Sequence, residues 1–277
     1  MAELNCNPNG ILKNKTAIVT GASRGIGAAI AQRLAMEGAS IIVTARTIDE
    51  TASRFPGTIH HTVDVINNGG GQAVAIQADL SQPEEREKLI TEAQAAMGEI
   101  DILVNNAAVT YFVPVVDFTE KHWHLMTEVQ IRAPFVLSQF VLPGMIERQS
   151  GSILNISSRA AIHPAGPPYQ NVRGGSVYGL CKAALERFTT GLASEVHEHN
   201  ISVNVISPGL VATPGVAHHK LINDNNRHLV EEVEVIAEAA LKLVSGDPKT
   251  VTGRIDYAGE VLKEFGLEAS ELLGPTE

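Results

Sequence analysis

An apolar strand pattern near the start of the chain runs directly into a glycine-rich turn. Residues 15–20 end in A-I-V-T, the next seven residues read G-A-S-R-G-I-G, and an alanine-rich helix pattern occupies residues 28–36. Gly21 permits a tight turn, Gly25 lets the backbone approach a pyrophosphate, and Gly27 allows a helix to pack closely on a strand. A glycine-rich turn alone is common, but strand, loop and helix in this order predict a dinucleotide site at the helix N-terminus.

The alternation of strand and helix patterns continues along the chain. Further strands are predicted at residues 40–44, 73–78, 101–104, 152–156 and 202–206. Helices are predicted at residues 59–68, 83–97 and 119–145, and another carries Tyr178. Repeated units of this kind predict an α/β protein with a doubly wound parallel β-sheet flanked by helices. We expect this domain to cover residues 12–277, after a flexible N-terminal tail of residues 1–11.

The composition limits what such a domain binds. Hydrophobic residues make up 44% of the 277 residues and charged residues 19%, as in ordinary globular proteins. The net charge of −10 and the lack of a basic run argue against nucleic acid and anionic membranes as partners. No long uncharged apolar stretch occurs, so the sequence predicts a soluble, untargeted, cytoplasmic protein. Cys6 and Cys181 fit a reducing compartment and lack metal-ligand spacing.

The residues after the second predicted strand indicate which dinucleotide is bound. An acidic residue about 20 positions past the glycines binds the ribose 2′-hydroxyl of NAD, whereas arginine there accommodates the 2′-phosphate of NADP. Arg46 stands at this point, and Arg24 in the glycine loop can reach the same phosphate from the other side. The two cations favour NADP(H). The alternative is that both arginines are solvated and that Asp49 or Glu50 binds the ribose of NAD(H).

A tyrosine and a lysine begin the helix that follows the fifth predicted strand. On a helix, Tyr178 and Lys182 lie four residues apart on one face, so the ammonium can sit beside the phenol. A nearby positive charge favours phenolate, and we therefore expect a pKa for Tyr178 below the usual value of about 10. Ser158 follows the strand at residues 152–156, where its hydroxyl can hold a substrate oxygen. The Tyr-x-x-x-Lys pattern by itself is weak and gains weight only from the rest of the chain.

Five features follow one another in a recognisable order. They are T-G-x-x-x-G-x-G at residues 20–27, N-N-A-A at 105–108, Ser158, Tyr-x-x-x-Lys at 178–182 and Pro-Gly at 208–209. This set resembles that of the classical short-chain dehydrogenase/reductases over residues 12–255. The resemblance implies a single-domain Rossmann fold and hydride transfer at a carbonyl or secondary alcohol. Together with the two arginines, it favours an NADP(H)-dependent carbonyl reductase or alcohol dehydrogenase. It leaves the natural substrate, the stereochemistry and the physiological direction open.

The resemblance also implies roles for single residues. Tyr178 corresponds to the general acid for reduction and base for oxidation, Lys182 to the group that lowers its pKa and holds the nicotinamide ribose, and Ser158 to the residue that positions the oxygen. Asp79 resembles the adenine contact, and Asn105 resembles a residue that braces the sheet beside the cofactor. The implied cofactor-binding residues are Gly21, Ser23, Arg24, Gly25, Ile26, Gly27, Arg46, Asp79, Leu80, Asn106, Ala107, Tyr178, Lys182, Pro208, Gly209, Val211 and Thr213.

Three positions depart from the family's usual pattern. Gln130 stands where the family has an asparagine whose helix kink helps to hold a proton-relay water, and it is a tentative catalytic residue. Ala108 replaces a glycine and adds a methyl group near the cofactor. The end T-G-R-I-D-Y-A-G-E-V at residues 252–261 lacks the family's closing pair of glycines, which leaves tail contacts between subunits open.

A fourth departure is the long loop between Ser158 and Tyr178. Its prolines and glycines indicate a loop, and a loop between two catalytic residues must border the substrate pocket, which makes it a candidate for specificity. Tyr169 lies within this loop and is a poorer candidate for the catalytic tyrosine. No helix can start through the two prolines at 167–168 that precede it.

The histidines and the apolar residues near the predicted site complete the expectations. The paired histidines are adjacent or two apart, which does not place two rings on one helical face, so no metal site is expected. Most histidines are expected to be solvated, with His163 and the pair His218 and His219 as candidates for the pocket. Apolar residues near the site suggest an open pocket for a small carbonyl or alcohol: Ala160, Ile162 and Leu210.

The sequence leaves more than one oligomeric state and more than one function open. The family resemblance implies a homotetramer or homodimer built through the helices around residues 119–145 and 178–196. Two other functions remain open: a non-catalytic NADP(H)-sensing Rossmann protein, and an NAD(H)-dependent member of the same family. Non-redox epimerase or dehydratase chemistry is disfavoured because little sequence follows Pro208 and Gly209 for a substrate-binding portion.

Overall fold

A parallel sheet of seven strands forms the centre of the protein. The computed structural model describes residues 4–53, 55–167, 169 and 174–272. The strands in this part of the chain are β1 Thr16–Thr20, β2 Ser40–Ala45, β3 Gln72–Gln77, β4 Ile102–Asn105, β5 Gly151–Ile156, β6 Ile201–Ser207, β7 Leu210–Val211, β8 Val230–Glu231 and β9 Ile255–Tyr257. The seven-stranded sheet has the order β3-β2-β1-β4-β5-β6-β9, and β7 and β8 form a separate short pair. All of these pairings are parallel.

Helices cover both faces of the sheet. They are α1 Gly25–Met36, α2 Ile59–Asn68, α3 Pro83–Met97, α4 Glu120–Thr127, α5 Ala133–Arg148, α6 Ser176–Val196, α7 Pro214–His218, α8 Val233–Ser245 and α9 Ala258–Phe265. On one face α1 packs against α2 and α8, and α8 packs against α9. On the other face α5 packs between α3 and α6. This layering confirms the predicted α/β class and the doubly wound Rossmann architecture.

The first strand shows why an uninterrupted apolar run forms the centre of the sheet. All five residues of β1 are buried. Val19 points into the core beneath α1 and α8, whereas its neighbour Ile18 points into the core beneath α3 and α5. Successive side chains of a strand face opposite sides, so a strand covered by helices on both sides needs apolar residues at every position.

The predicted elements agree with the structure to within one residue at the ends of each of the first six strands. The bounds of α2 and α3 are those expected. The seventh strand, β9, was not predicted because it has only three residues, none of them buried. It joins the sheet beside β6 near its C-terminal end, where Ile206 is paired with Asp256.

The N-terminal segment is packed rather than loose, which corrects the prediction of a flexible tail for residues 4–11. Leu4 and Cys6 are buried in the core that contains α1 and α2. The amide of Cys6 donates to the carbonyl of Gly69 at 2.9 Å, and the amide of Asn7 donates to Met36 at 2.9 Å. A Cβ at Gly69 would lie 2.4 Å from the Leu4 carbonyl oxygen, so the glycine after α2 leaves room for this segment.

The long helical region changes its hydrogen-bond pattern halfway along. A π-helical turn, Glu128–Arg132, joins α4 to α5, and Pro134 follows it at the start of α5. Proline lacks an amide proton and therefore interrupts the hydrogen-bond pattern of a helix, and here it follows the point at which the helix type changes. By length and composition alone, the stretch Glu120–Arg148 is able to cross a membrane, with a mean hydropathy of 1.3 in its most apolar part. Its inner face belongs to the same core as the sheet, which marks it as a core helix of this fold.

Candidate active site

A cleft of about 730 Å³ opens at the C-terminal ends of the strands. It lies where the chain order of the sheet reverses, between β1 and β4, which is the position at which open α/β sheets bind ligands. Every residue predicted to bind the cofactor lines this cleft, and so does Ser158. Residues that are far apart in sequence therefore share one cavity with the predicted catalytic pair.

The glycine loop is shaped for an anion at the start of α1. A Cβ at Gly27 would lie 2.5 Å from the carbonyl oxygen of Gly21, so only glycine allows this approach of helix to strand. The side chain of Arg24, the N-cap residue, does not cap α1, and the first turn contains no acidic residue. Uncapped amide groups and the positive end of the helix dipole together favour a phosphate group at this point.

The segment after β6 faces the glycine loop across the cleft. A Cβ at Gly25 would meet the methyl group of Thr213 at 3.3 Å, so a side chain there would fill the gap between the two walls. Thr213 accepts a hydrogen bond from the amide of Val216 at 3.3 Å and so begins α7. Glycine therefore keeps open the space in which a pyrophosphate would lie.

Two asparagines at the C-terminal end of β4 hold the neighbouring strands. The side-chain amide of Asn106 donates to the carbonyl of Thr20 at 2.8 Å and fixes the start of the glycine loop. The amide of Asn105 donates to Asn155 at 2.9 Å, and Asn155 in turn donates to Thr189 on α6 at 2.8 Å. Asn105 thus braces β4 against β5, while Asn106 contacts the cofactor loop.

Arginine side chains dominate the end of the cleft beside β2. One nitrogen of Arg24 donates to the hydroxyl of Ser53 at 3.1 Å and to the carbonyl of Gly57 at 2.6 Å. Burial lowers the pKa of Arg24, with Glu50 opposing and Arg46 adding to the decrease. The Nε of Arg24 is buried and has no partner among the described residues. Arg46 is exposed and lines the cleft. An unpaired donor beside a second, accessible cation fits a phosphate group.

The two acidic residues of the alternative interpretation are engaged elsewhere. Asp49 accepts a hydrogen bond from the amide of Thr51 at 2.8 Å, and Glu50 accepts one from the amide of Gly57 at 2.8 Å. Neither carboxylate is among the residues that line the cleft. The end of the cleft beside β2 is therefore lined by Arg24 and Arg46, whereas Asp49 and Glu50 bind backbone amides outside the lining.

The predicted Ser, Tyr and Lys side chains converge at the other end of the cleft. Ser158 follows β5, and its hydroxyl forms a hydrogen bond with the hydroxyl of Tyr178. The ammonium nitrogen of Lys182 lies 5.7 Å from the centre of the Tyr178 ring and donates to the carbonyl of Ile156 at 2.8 Å. The first turns of α6 thus place phenol and ammonium side by side, as the spacing predicted.

Close contacts fix the distance between α6 and the end of β5. The hydroxyl of Ser157 donates to the carboxylate of Glu186 at 2.7 Å. A Cβ at Gly179 would lie 2.7 Å from the carbonyl oxygen of Ala160, so the glycine next to Tyr178 lets the helix approach this loop. The geometry of the Ser158 and Tyr178 hydroxyls depends on these contacts.

The pKa of Tyr178 differs from the expectation in its direction. Burial raises the pKa of Tyr178, and the hydrogen bond from Ser158 only partly opposes this rise. The neighbouring ammonium was expected to lower it, but desolvation of the phenolate is the larger effect here. Burial also lowers the pKa of Lys182 to about 8, with Cys181 and Glu186 opposing. The phenol is therefore protonated at neutral pH and can act as a proton donor.

The buried ammonium predicts how stability changes with pH. The folded pKa of Lys182, about 8, lies below its ordinary value of 10.5, so the folded protein binds fewer protons than the unfolded chain between these values. Stability should rise as the pH rises through this window. Relative to Lys182→Met, we expect wild type to gain about 3 kcal/mol of unfolding free energy from below pH 8 to above pH 10.5. Urea unfolding at a series of pH values measures this difference.

A matched variant removes an exposed charge instead. Lys13 is exposed and its ammonium donates to Asn9 at 2.7 Å, so Lys13→Met should show no comparable change with pH. If the difference in unfolding free energy between wild type and Lys182→Met stays constant over the whole pH range, Lys182 does not have the lowered pKa assigned to it.

Gln130 lies apart from the predicted catalytic group. Its side chain is buried in the π-helical turn, and its Nε2 donates to the carbonyl of Val109 at 2.8 Å. Gln130 does not line the cleft, whereas its neighbour Val129 does. The Oε1 atom is buried and has no hydrogen-bond partner among the described residues. Gln130 therefore anchors the loop after β4, and its place in a proton relay stays a prediction.

The loop between Ser158 and Tyr178 is described only in part. Residues 168 and 170–173, which were predicted to help set specificity, lie outside the described residues. Tyr169, the alternative tyrosine, is 67% exposed and does not line the cleft. His163 is also exposed and outside the cleft, so its predicted role in the pocket is wrong.

Several residues that line the cleft were not predicted. His218 and His219 line it as expected, but Phe55 and Phe112 join them. Phe112 follows β4, and residues just past the C-terminal end of a strand are expected at a ligand site in this fold, which is the signal that would have found it. Phe55 lies in an irregular segment before α2, where the sequence pattern gives no such signal. Among the described residues, no group of three potential metal ligands occurs.

Comparison with known proteins agrees with this geometry. A family model described as short chain dehydrogenase matches residues 15–222. A short chain dehydrogenase of Pseudocercospora fijiensis is 36% identical over 272 residues, covering 96% of this chain and 83% of its own. The solved structure of the angucycline C-6 ketoreductase LanV with bound NADP has a TM-score of 0.74 at 29% identity, covering 92% of this chain and 97% of its own.

A second solved structure is that of a metagenomic short-chain oxidoreductase in complex with NADP. It has a TM-score of 0.72 at 28% identity and covers 91% of this chain and 98% of its own. The family match, the sheet order and the convergence of Ser158, Tyr178 and Lys182 in one cleft agree with one another. The chain therefore belongs to the short-chain dehydrogenase/reductase family of oxidoreductases.

Proposed function

We propose that the protein is an NADP(H)-dependent oxidoreductase that interconverts a ketone and a secondary alcohol, as a carbonyl reductase or an alcohol dehydrogenase. The observation that carries this proposal is a protonated phenol, Tyr178, hydrogen-bonded to Ser158 and beside the buried Lys182, in the cleft that fits the cofactor. Family membership supports the reaction class. The cation pair Arg24 and Arg46 supports the choice of NADP(H).

The side chains have distinct tasks in this reaction. When bound, the nicotinamide supplies or accepts the hydride. Ser158 holds the substrate oxygen by a hydrogen bond, and Tyr178 donates its proton to that oxygen during reduction and removes it during oxidation. Because burial raises the pKa of Tyr178, the proton donor is present throughout the neutral range. Lys182 would hold the nicotinamide ribose, and its charge would favour the phenolate left after proton transfer.

The cofactor assignment rests on the end of the cleft beside β2. Arg46 and the unpaired Nε of Arg24 would bind the 2′-phosphate, while α1 would bind the pyrophosphate through its first amide groups. Asp79 and Leu80 would border the adenine, and the segment from Pro208 to Thr213 would cover the nicotinamide. The NADP-bound ketoreductase and oxidoreductase named above support the same choice.

A cofactor titration with a panel of carbonyl compounds and alcohols tests the proposal. Binding of NADPH and NADH is measured first, and turnover is then followed by the absorbance of reduced nicotinamide. We expect tighter binding of NADPH and turnover of at least some ketones. Binding of NADPH without turnover of any compound in either direction would instead favour the non-catalytic, nucleotide-sensing alternative.

We also propose that the protein is a homodimer or homotetramer. The outer face of α5 carries Phe135 and Phe140, which are 51% and 36% exposed, and α6 carries Leu180 at 46%. Phe135 packs against Phe188 of α6 at 5.8 Å between ring centres, so the two helices form one apolar surface. A one-domain organisation over residues 12–277 and a cytoplasmic location stay predictions from the sequence.

A further inference from the structure

Five rings form a continuous row along the open side of the cleft. Phe55 contacts His218 at 5.5 Å between ring centres, His218 contacts His219 at 4.9 Å, His219 contacts Phe112 at 4.9 Å, and Phe112 contacts Tyr178 at 5.7 Å. The row reaches from the cofactor's predicted phosphate end to the predicted catalytic tyrosine. The rings belong to separate segments of the chain: the one before α2, the one after β4, the end of α7 with the residue after it, and α6.

Phe112 contacts Tyr178, His219 contacts Phe112, and we define these two rings, Phe112 and His219, as the wall. Their planes are nearly perpendicular, at 88°, and Phe112 meets Tyr178 at 71°. Both are partly exposed and line the cleft. Phe112 contacts the ring of Tyr178, whose hydroxyl would donate to the substrate oxygen, so in the proposed reaction a substituent of the carbonyl carbon would lie near this wall. The wall is therefore placed to distinguish one substituent from another.

His219 is an uncharged ring at neutral pH. Burial and the neighbouring His218 lower the pKa of His219 below the ordinary value of 6.5, and a hydrogen bond with the backbone of Thr110 only partly opposes this. A hydrogen bond that favours the protonated ring must go to an acceptor, so His219 donates to the Thr110 carbonyl. This bond joins the end of α7 to the loop that carries Phe112. The wall consequently presents aromatic ring surface rather than positive charge.

The backbone of Phe112 packs closely against the backbone at Gly174. Gly174 has a φ of +81°, and a Cβ at this position would lie 2.5 Å from the amide nitrogen of Val113 and 2.6 Å from the carbonyl carbon of Phe112. Gln130 holds the same loop from below through the carbonyl of Val109 at 2.8 Å. Because the backbone of this loop is restrained at these two places, the Phe112 side chain cannot be displaced by a shift of the loop alone, so its contacts with a substrate affect selectivity.

We infer that Phe112 and His219 determine substrate selectivity and that they favour ketones with an aryl group on the carbonyl carbon over saturated ketones of the same size. The inference rests on the proposed ketone reduction. Aromatic rings prefer edge-to-face and offset-stacked contacts, which a saturated ring does not offer. A wall of two perpendicular rings presents both an edge and a face to the substituent.

The experiment compares two ketones of nearly equal size, acetophenone and cyclohexyl methyl ketone, with NADPH. The quantity measured is the ratio of their kcat/KM values. In Phe112→Leu and in His219→Leu, which keep apolar bulk but remove a ring, we expect this ratio to fall about threefold to tenfold. The two variants lie on separate segments, so a folding defect in one leaves the other informative. Thermal melting curves show whether each variant is folded.

His60→Leu serves as the matched control for His219→Leu because His60 is exposed on α2 and lies outside the cleft. Its ratio should equal that of wild type. A wild-type enzyme that reduces both ketones with a ratio unchanged in both wall variants would overturn the inference while leaving the proposed function intact. Failure of wild type to reduce any ketone with NADPH or NADH would refute the proposed function, and the inference with it.

Discussion

Replacing Tyr178 with phenylalanine is expected to lower kcat for ketone reduction by about 10²-fold to 10⁴-fold, the usual contribution of a general acid. The substitution removes one oxygen atom and keeps the ring that packs against Phe112. The variant should therefore fold and bind NADPH as wild type does. The measurements are steady-state turnover, NADPH titration and thermal melting on the same preparation.

The chain contains a matched control for this experiment. Tyr169 lies in the loop before α6, is 67% exposed and is outside the cleft. Tyr169→Phe should retain wild-type turnover. Full activity in Tyr178→Phe, with or without loss of activity in Tyr169→Phe, would show that the proton donor has been assigned to the wrong residue.

The pH dependence of the wild-type reaction should follow the raised pKa of Tyr178. Reduction needs the protonated phenol, so its rate should hold through neutral pH and decline only as the pH rises through that elevated pKa. Oxidation needs the phenolate and should increase over the same interval. Opposite pH trends for the two directions, absent from Tyr178→Phe, would connect the titration to this residue.

Replacing Arg46 with aspartate should reverse the choice of cofactor. The substitution removes a charge-assisted bond to the 2′-phosphate and places a carboxylate where the 2′-hydroxyl of NADH can be bound. We expect the ratio of kcat/KM for NADPH to that for NADH to fall by about 100-fold at low ionic strength, and by less in high salt because Arg46 is exposed. Turnover measured with each cofactor gives the ratio.

An equal change of net charge at a remote site provides the comparison. Lys13→Asp alters an exposed residue of the N-terminal segment, outside the cleft, and should leave the cofactor ratio unchanged. If Arg46→Asp also leaves it unchanged, Arg46 does not bind the 2′-phosphate. Asp49 or Glu50 would then have to exchange its present backbone partner for the ribose.

Most of the fold was predictable because the strands are buried on both faces. Such strands read as continuous apolar runs, and β1 with its following glycines is the clearest case. The short edge strand β9 and the packed segment around Leu4 and Cys6 gave no comparable signal. Leu4 and Cys6 stand among polar residues, and their burial depends on space left by glycines that lie elsewhere in the sequence.

The glycine loop and the Ser158, Tyr178 and Lys182 group of the candidate site were predictable from sequence, but the pKa of Tyr178 and the aromatic lining were not. Glycine turns and the spacing of Tyr178 and Lys182 follow from local geometry, which sequence carries directly. The raised pKa of Tyr178 depends on the surrounding protein that excludes water, and no neighbouring residue in the sequence reports that. Phe112 and His219 meet only because the loop after β4 and the end of α7 close on each other in three dimensions.

The π-helical turn Glu128–Arg132 sets the rotational phase of two helices. A π-turn holds one more residue than the matching stretch of α-helix. The side chains after it are therefore rotated about the helix axis by about 100° relative to an unbroken α-helix. Met126 on α4 and Leu137 on α5 both face inward across this offset. Shortening the turn by one residue would twist α4 against α5, pull Gln130 away from the carbonyl of Val109 and release the loop that carries Phe112. A deletion of one residue in this turn would thus displace the wall of Phe112 and His219, although neither residue lies in the turn.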